Sequence, residues 1–163
     1  MNSKSLCRAG VIAGLYCVLT VIVAPLSYGQ VQFRFAEALT VLPLFFPEAV
    51  LGLTTGCFIA NILGNGTLDL ILGTLATLVS SLLTFLAGRK IKKFAVKLIV
   101  GEIFPVVINA LLVPFTFLAF SKLKSGYFIG VLTVGGGQLA VIATLGTFLA
   151  VALRKIEIKK NTL

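Results

Sequence analysis

An arginine and a glutamate three positions apart, Arg34 and Glu37, lie in a chain that is otherwise poor in charge, with 12% charged and 58% hydrophobic residues. Residues three apart share one face of a helix, so the two side chains should lie side by side. They either form a local ion pair, which lowers the cost of each charge near lipid, or bind a ligand. In the second case, Glu37 accepts hydrogen bonds from the ligand, and Arg34 positions it or donates to a carbonyl.

Other polar side chains lie in or beside apolar stretches. Asn109 and Gln138 fall near the middle of two such stretches, where an unpaired amide is costly, so each either bonds across helices or lines a polar cavity. Asp69 falls in the first turn of a predicted helix, where it either complements the helix dipole or contacts a ligand. Gln32 and Phe33 flank Arg34, and the ring of Phe33 either stacks on a planar ligand or belongs to an interfacial aromatic belt.

The chain lacks the residues that most enzymes and metal sites require. It contains no His, and Cys7, Cys17 and Cys57 show no CxxC pairing, so the three thiols are predicted to be small buried hydrophobes. No phosphate-binding loop with a Lys-Ser or Lys-Thr pair is present, so the chain is not expected to hydrolyse ATP itself. We therefore predict a binding protein with no catalytic residues, no metal and no cofactor.

Six apolar stretches are predicted to position these side chains. A helix needs about 20 apolar residues to cross roughly 30 Å of hydrocarbon. The second stretch is short and contains Pro43. The fold class is therefore an all-α polytopic membrane protein, one six-helix domain over residues 1–163, with spans at about 6–24, 35–46, 48–63, 67–87, 98–120 and 127–153.

Positive charge clusters at the ends of these stretches. Eleven of the fourteen Lys and Arg residues fall at or just before the start of the first span, between the fourth and fifth, or after the last. With an even number of spans, this bias predicts that both termini are cytoplasmic. Because no hydrophilic domain presents the charge, it indicates topology in a lipid membrane, and nucleic-acid binding is not expected.

Small residues recur at helical spacing in the first span, with Ala9 and Ala13 on one line and Gly10 and Gly14 beside it. Such stripes let another helix approach closely in lipid. The stripe serves either packing within the bundle, which the pattern alone favours, or docking of a separate membrane subunit.

Four runs of residues resemble the signatures of the QueT family. They are 32–43 (QFRFAEALTVLP), 56–61 (GCFIAN), 68–77 (LDLILGTLAT) and 105–111 (PVVINAL). Members of this family are substrate-binding S components of energy-coupling factor (ECF) transporters, which import queuosine precursors across the bacterial cell membrane. The resemblance implies a six-helix S component that works with a transmembrane coupling subunit and two ATPase subunits. It also favours docking of the coupling subunit for Ala9 and Ala13, which match an AxxxA stripe.

The resemblance implies a 7-deazaguanine ligand such as 7-aminomethyl-7-deazaguanine. Its pyrimidine edge offers two adjacent donors beside a carbonyl acceptor, which Glu37, Arg34, Asn109 and Gln138 complement. Relatives often carry Glu where this chain has Gln138, so a cationic aminomethyl group is less favoured here, and the nitrile precursor or queuine stays open. The alternatives are an S component for a flavin, thiamine or folate, and a stand-alone channel or secondary transporter.

Overall fold

The computed structural model describes residues 2–27, 33–64, 67–119 and 126–161, and within these ranges the chain is helical with no strand. The all-α prediction is therefore confirmed. Residues 28–32 and 121–125, which connect predicted spans, lie outside these ranges. The helices are α1 (Ser3–Ile22), α2 (Ala24–Ser27), a 3₁₀ helix (Phe35–Leu44), α3 (Ala49–Gly64), α4 (Thr67–Lys90), α5 (Phe94–Ala119), α6 (Tyr127–Val141), a π-helical segment (Ile142–Gly146) and α7 (Thr147–Asn161).

Four helical stretches among the described residues are long and apolar enough to cross a membrane. They are Ser3–Ile22, Leu70–Lys90, Phe94–Phe115 and Tyr127–Ile158, the last of which joins α6, the π segment and α7. The predicted second and third spans correspond to shorter apolar helices, Phe35–Leu44 and Ala49–Gly64. The arrangement fits a polytopic bundle, and the organisation of residues 1–163 as one domain stays a prediction.

The predicted basic loop 88–97 is largely helical, which corrects the sequence-based boundary. α4 continues to Lys90 and α5 begins at Phe94, so residues 91–93 alone connect the two helices. Arg89 and Lys90 occupy the last turn of α4, where positive charge complements the helix dipole. The predicted end at 153 is also too early, because α7 continues to Asn161.

The second predicted span is a 3₁₀ helix rather than an α-helix. Its rise of about 2.0 Å per residue lets ten residues cover about 20 Å, against about 15 Å for an α-helix. Ala36 to Leu44 are all buried, and the segment contacts α1, α3, α4, α5, α6, the π segment and α7. Such non-α backbone is tolerated at membrane depth because protein, and not lipid, surrounds it.

Three residues per turn give this segment three ridges, each of which faces different neighbours. Ala36, Leu39 and Leu42 pack with side chains of α1 and α3. Val41 and Leu44 pack with side chains of α5 and α7. The third ridge begins with the polar residues Arg34, Glu37 and Thr40 and ends at Pro43. The segment therefore packs against two sides of the bundle, the α1–α3 wall and the α5–α7 wall. It presents a polar line between these two walls.

The small residues of α1 pack inside the bundle. Ala9 and Ala13 are 7% and 8% exposed. A Cβ atom built on Gly52 would lie 2.7 Å from the Ala9 carbonyl oxygen, and one on Gly56 would lie 2.7 Å from that of Ala13. In the described chain α3 thus covers the stripe that was predicted to receive a coupling subunit.

The neighbouring stripe of α1 faces outward. Gly10 and Gly14 are exposed, and a Cβ atom on either would meet nothing within 4 Å. Because glycine lets a neighbouring helix approach closely, this outward stripe of α1 leaves room for one, and docking at Ala9 and Ala13 stays a prediction.

We expect Gly56→Ala to destabilise the protein, although Ala is intrinsically the better helix former by about 1 kcal/mol. The new methyl group would meet backbone at 2.7 Å, and such overpacking typically costs about 1–3 kcal/mol. Thermal unfolding in detergent, followed by circular dichroism, measures the change. Gly10→Ala is the matched control and should be neutral or stabilising. Equal unfolding temperatures for Gly56→Ala and the parent protein would contradict the described contact between α1 and α3.

Candidate functional site

The carboxylate of Glu37 is the centre of a buried polar cluster to which three helices contribute. Glu37 is 2% exposed. Its Oε1 accepts a hydrogen bond from the Tyr16 hydroxyl of α1. Its Oε2 accepts from Gln138 Nε2 of α6 at 2.8 Å and from Asn109 Nδ2 of α5 at 3.4 Å. A charge excluded from water needs such donors, because unpaired it would cost several kcal/mol.

Local structure places Glu37 at this point. The Glu37 backbone N–H donates to the Arg34 carbonyl at 2.9 Å, which is the i to i+3 bond of a 3₁₀ turn. The Thr40 hydroxyl in turn donates to the Glu37 carbonyl at 2.6 Å. Residues three apart eclipse in a 3₁₀ helix, so Arg34 and Glu37 share a side even more closely than the predicted α-helix would allow.

Arg34 leads from Glu37 to a second group of polar side chains around Cys57. Arg34 is 6% exposed, and its guanidinium interacts with Tyr16 and Glu37. Its Nη1 lies 4.0 Å from Cys57 Sγ, a weak contact. The Cys57 sulfur also accepts a hydrogen bond from Asn61 Nδ2 at 3.4 Å and lies 3.2 Å from Thr77 Oγ1. Cys57 is buried as predicted, whereas Cys7 is exposed and Cys17 is half-buried, so the prediction of buried thiols is wrong for Cys7.

The structure brings four of the predicted site residues together, namely Arg34, Glu37, Asn109 and Gln138. Phe33 lies next to Arg34 and is 38% exposed. Gln32 and the side chain of Asp69 lie outside the described residues, so their predicted contacts with a ligand stay predictions.

Tyr16 belongs to the cluster but was not among the site residues predicted from the sequence. Its ring is fully buried, and a buried tyrosine hydroxyl usually finds a partner. A lone tyrosine in the middle of an apolar span was therefore a usable signal. Thr77, which lies inside the 68–77 run, gave no comparable signal because threonine often bonds its own helix in a membrane, as it does here to the Gly73 carbonyl at 3.0 Å.

The cluster combines one carboxylate, one guanidinium, two amides and one phenol, so it can offer both donors and acceptors to a small polar molecule. Among the described residues, no group of three or more His, Cys, Asp or Glu side chains could hold a metal ion. What these side chains can do chemically is donate and accept hydrogen bonds.

We expect Tyr16→Phe to lower the stability of the ligand-free protein by about 1–3 kcal/mol, because it removes a buried donor from a charged acceptor. Tyr127→Phe is the matched control, since the Tyr127 hydroxyl donates to the Leu111 carbonyl at 2.8 Å at an exposed position. Thermal unfolding of both variants tests the expectation. If Tyr127→Phe costs as much as Tyr16→Phe, the Glu37 cluster contributes no special stability.

Comparisons with known proteins give a family match and a relative. A sequence model of the QueT transporter family matches residues 6–155, which is most of the chain. A relative named Queuosine precursor transporter QueT, from Lactococcus lactis subsp. cremoris (strain MG1363), is 38% identical over 71 residues. That alignment spans 42% of this chain and 42% of the relative. No solved structure matches the chain significantly. The extent of the family match shows that this chain belongs to the QueT transporter family.

Proposed function

We propose that this protein is the substrate-binding S component of an ECF-type importer that takes up a queuosine precursor across the bacterial cell membrane, with both termini in the cytoplasm. The observation that carries the proposal is the convergence of donors from α1, α5 and α6 on the buried Glu37 carboxylate. The name of the relative supports the substrate class. The chain acts as a binding subunit and not as an enzyme.

The Glu37 carboxylate can accept the two hydrogen-bond donors on the pyrimidine edge of a 7-deazaguanine. A carboxylate has about four lone-pair sites, and three donors of the protein already use it. The contact from Asn109 is the longest of the three, at 3.4 Å, and is therefore the weakest. A 7-deazaguanine would replace this contact with its ring N–H and its exocyclic amine. The displaced Asn109 amide, or Arg34, would then donate to the ligand carbonyl.

Gln138 bears on which precursor is carried. The Gln138 Nε2 atom donates a hydrogen bond to Glu37 at 2.8 Å. A glutamate at position 138 could not donate to Glu37 unless one of the two carboxylates was protonated. A neutral amide adds no negative charge for the ammonium group of 7-aminomethyl-7-deazaguanine. The cluster therefore suits the uncharged nitrile precursor as well as the aminomethyl compound, and queuine, which also carries an amine, stays open beside them. Gln32, Phe33 and Asp69 are proposed to complete the site from its outer side.

Energy for uptake is proposed to come from partner subunits. The sequence contains no nucleotide-binding loop, so two ATPase subunits and a transmembrane coupling subunit would reorient the S component until the pocket opens inward. The coupling subunit would dock on α1, with Gly10 and Gly14 on the outward stripe and Ala9 and Ala13 supporting it from the α3 side.

We expect the purified protein to bind one 7-deazaguanine with submicromolar affinity and to bind guanine and riboflavin much more weakly. Isothermal titration with 7-aminomethyl-7-deazaguanine, its nitrile precursor, queuine, guanine and riboflavin measures this. Glu37→Gln should weaken the best ligand roughly 100-fold, because it loses charge-assisted hydrogen bonds worth about 2–3 kcal/mol. Glu102→Gln is the matched control, because the Glu102 carboxylate accepts a hydrogen bond from the Thr147 hydroxyl at 2.8 Å. This variant should bind the ligand as tightly as the parent protein does.

Two outcomes would contradict the ligand assignment. Equal binding by Glu37→Gln and the parent protein would remove Glu37 from the site. Tight binding of riboflavin, thiamine or folate with no binding of a deazaguanine would leave an S component for another vitamin.

We expect Gly10→Leu combined with Gly14→Leu to abolish ATP-dependent uptake in liposomes that contain the partner subunits, while ligand binding stays normal. The bulky side chains would hold the coupling helix away from α1. Val11→Leu, at a position 62% exposed on α1, is the control and should transport normally. Accumulation of substrate by the chain alone, without ATPases, would instead indicate a stand-alone channel or secondary transporter.

A further inference from the structure

A cleft with several cationic side chains opens at the basic end of the bundle, where α5 begins and α7 ends. Its volume is about 300 Å³. Helices α5 and α7, the residue after the 3₁₀ helix and the connection between α4 and α5 contribute to it. The lining residues are Phe45, Lys92, Phe94, Lys97, Arg154, Glu157 and Ile158.

Two aromatic rings hold two of the cations at the cleft. The Phe45 and Phe94 rings lie 6.4 Å apart, centroid to centroid. The Lys97 ammonium lies 5.6 Å from the centre of the Phe45 ring, and the Arg154 guanidinium lies 4.2 Å from that of Phe94. Such cation–π contacts restrict long side chains that would otherwise move freely in water. The two cations are therefore pre-positioned around a common space.

The charge of the cleft favours an anion. Lys92, Lys97 and Arg154 carry three positive charges against one negative charge on Glu157. A simple topology signal requires positive charge near the membrane surface, but it requires neither a concave site nor aromatic supports. The combination of cavity, cations and rings indicates a binding site.

The cleft is separate from the Glu37 cluster. Phe45 follows the carboxyl end of the 3₁₀ helix, whereas Arg34 precedes its amino end. Ten residues at about 2.0 Å each place the two ends about 20 Å apart. A ligand in the cleft therefore does not compete with a ligand at Glu37.

We propose that this cleft binds the phosphate diester of an anionic phospholipid, with phosphatidylglycerol as the type of headgroup. Basic pockets between membrane helices recognise such headgroups at the cytoplasmic surface. Lys97 and Arg154 bind the phosphate oxygens, and Lys92 adds charge from the α4–α5 connection. Exposed apolar side chains near this end, including Ile158 and Val96, can contact the acyl chains. The Glu157 carboxylate accepts a hydrogen bond from a headgroup hydroxyl.

Native mass spectrometry of the detergent-purified full chain tests the proposal, with phosphatidylglycerol or phosphatidylcholine of the same acyl chains added. The parent protein should retain phosphatidylglycerol preferentially. Lys97→Gln combined with Arg154→Gln should reduce this retention by roughly tenfold or more, since each cation near an anionic surface contributes about a fivefold effect. Lys90→Gln combined with Lys155→Gln is the matched control, because it removes two exposed charges of the same end that do not line the cleft.

The control separates a site from general surface charge. Equal loss of phosphatidylglycerol from both double variants would overturn the proposal, and so would equal retention of the two lipids by the parent protein. Displacement of phosphatidylglycerol by inorganic phosphate at the same concentration would overturn the lipid as ligand in favour of a free anion. An unfolding temperature equal to that of the parent protein shows that the Lys97→Gln, Arg154→Gln variant is folded, and this control does not depend on the proposed transport substrate.

Discussion

A buried carboxylate has to be surrounded by donors, and the structure of this bundle follows from how that requirement is met at Glu37. The donors come from α1, α5 and α6, which are far apart in sequence. Each of these helices must therefore approach the 3₁₀ segment closely and in one rotational setting. Apolar packing in lipid does little to determine how each helix is oriented about its own axis, because lipid chains are as apolar as leucine side chains. Hydrogen bonds to a single charge supply the missing specificity.

The glycines of α3 contribute to the same cluster indirectly. A Cβ atom on Gly56 would lie 2.8 Å from the Cβ atom of Tyr16. The absence of a side chain at Gly56 thus allows Tyr16 to occupy the position from which it donates to Glu37. At the opposite end of the bundle, Arg8 bonds Glu48 at 2.8 Å and joins α1 to the turn before α3. The pairing of α1 with α3 is in this way fixed both near the polar cluster and at the Arg8–Glu48 ion pair.

The sequence predicted the parts of this arrangement that depend on composition and short spacing. Hydropathy and charge distribution predicted an all-α membrane bundle, and the spacing of Arg34 and Glu37 predicted that they share a side. The polar side chains in mid-span, Asn109 and Gln138, were predicted to bond across helices or to line a cavity, and they do contact Glu37 across the bundle.

The remainder depends on long-range packing that no local pattern encodes. Whether Ala9 or Gly10 faces α3 is a difference of one position on a helix, and both stripes have small residues. The 3₁₀ geometry of Phe35–Leu44 was equally hidden, because its apolar residues fit an α-helical interpretation. The roles of Tyr16 and Cys57 arise only when α1, α3 and α4 are assembled around that segment.

The three-sided 3₁₀ segment has a consequence for how this part of the chain can evolve. Each residue advances the helix by about 120°, so one inserted or deleted residue between Phe35 and Leu44 would turn all following side chains toward the wrong wall. An apolar ridge would then face the polar line, and Thr40 would face the α1–α3 wall or the α5–α7 wall. Insertions and deletions should therefore be tolerated here only in multiples of three residues, because only these return the following side chains to their original sides.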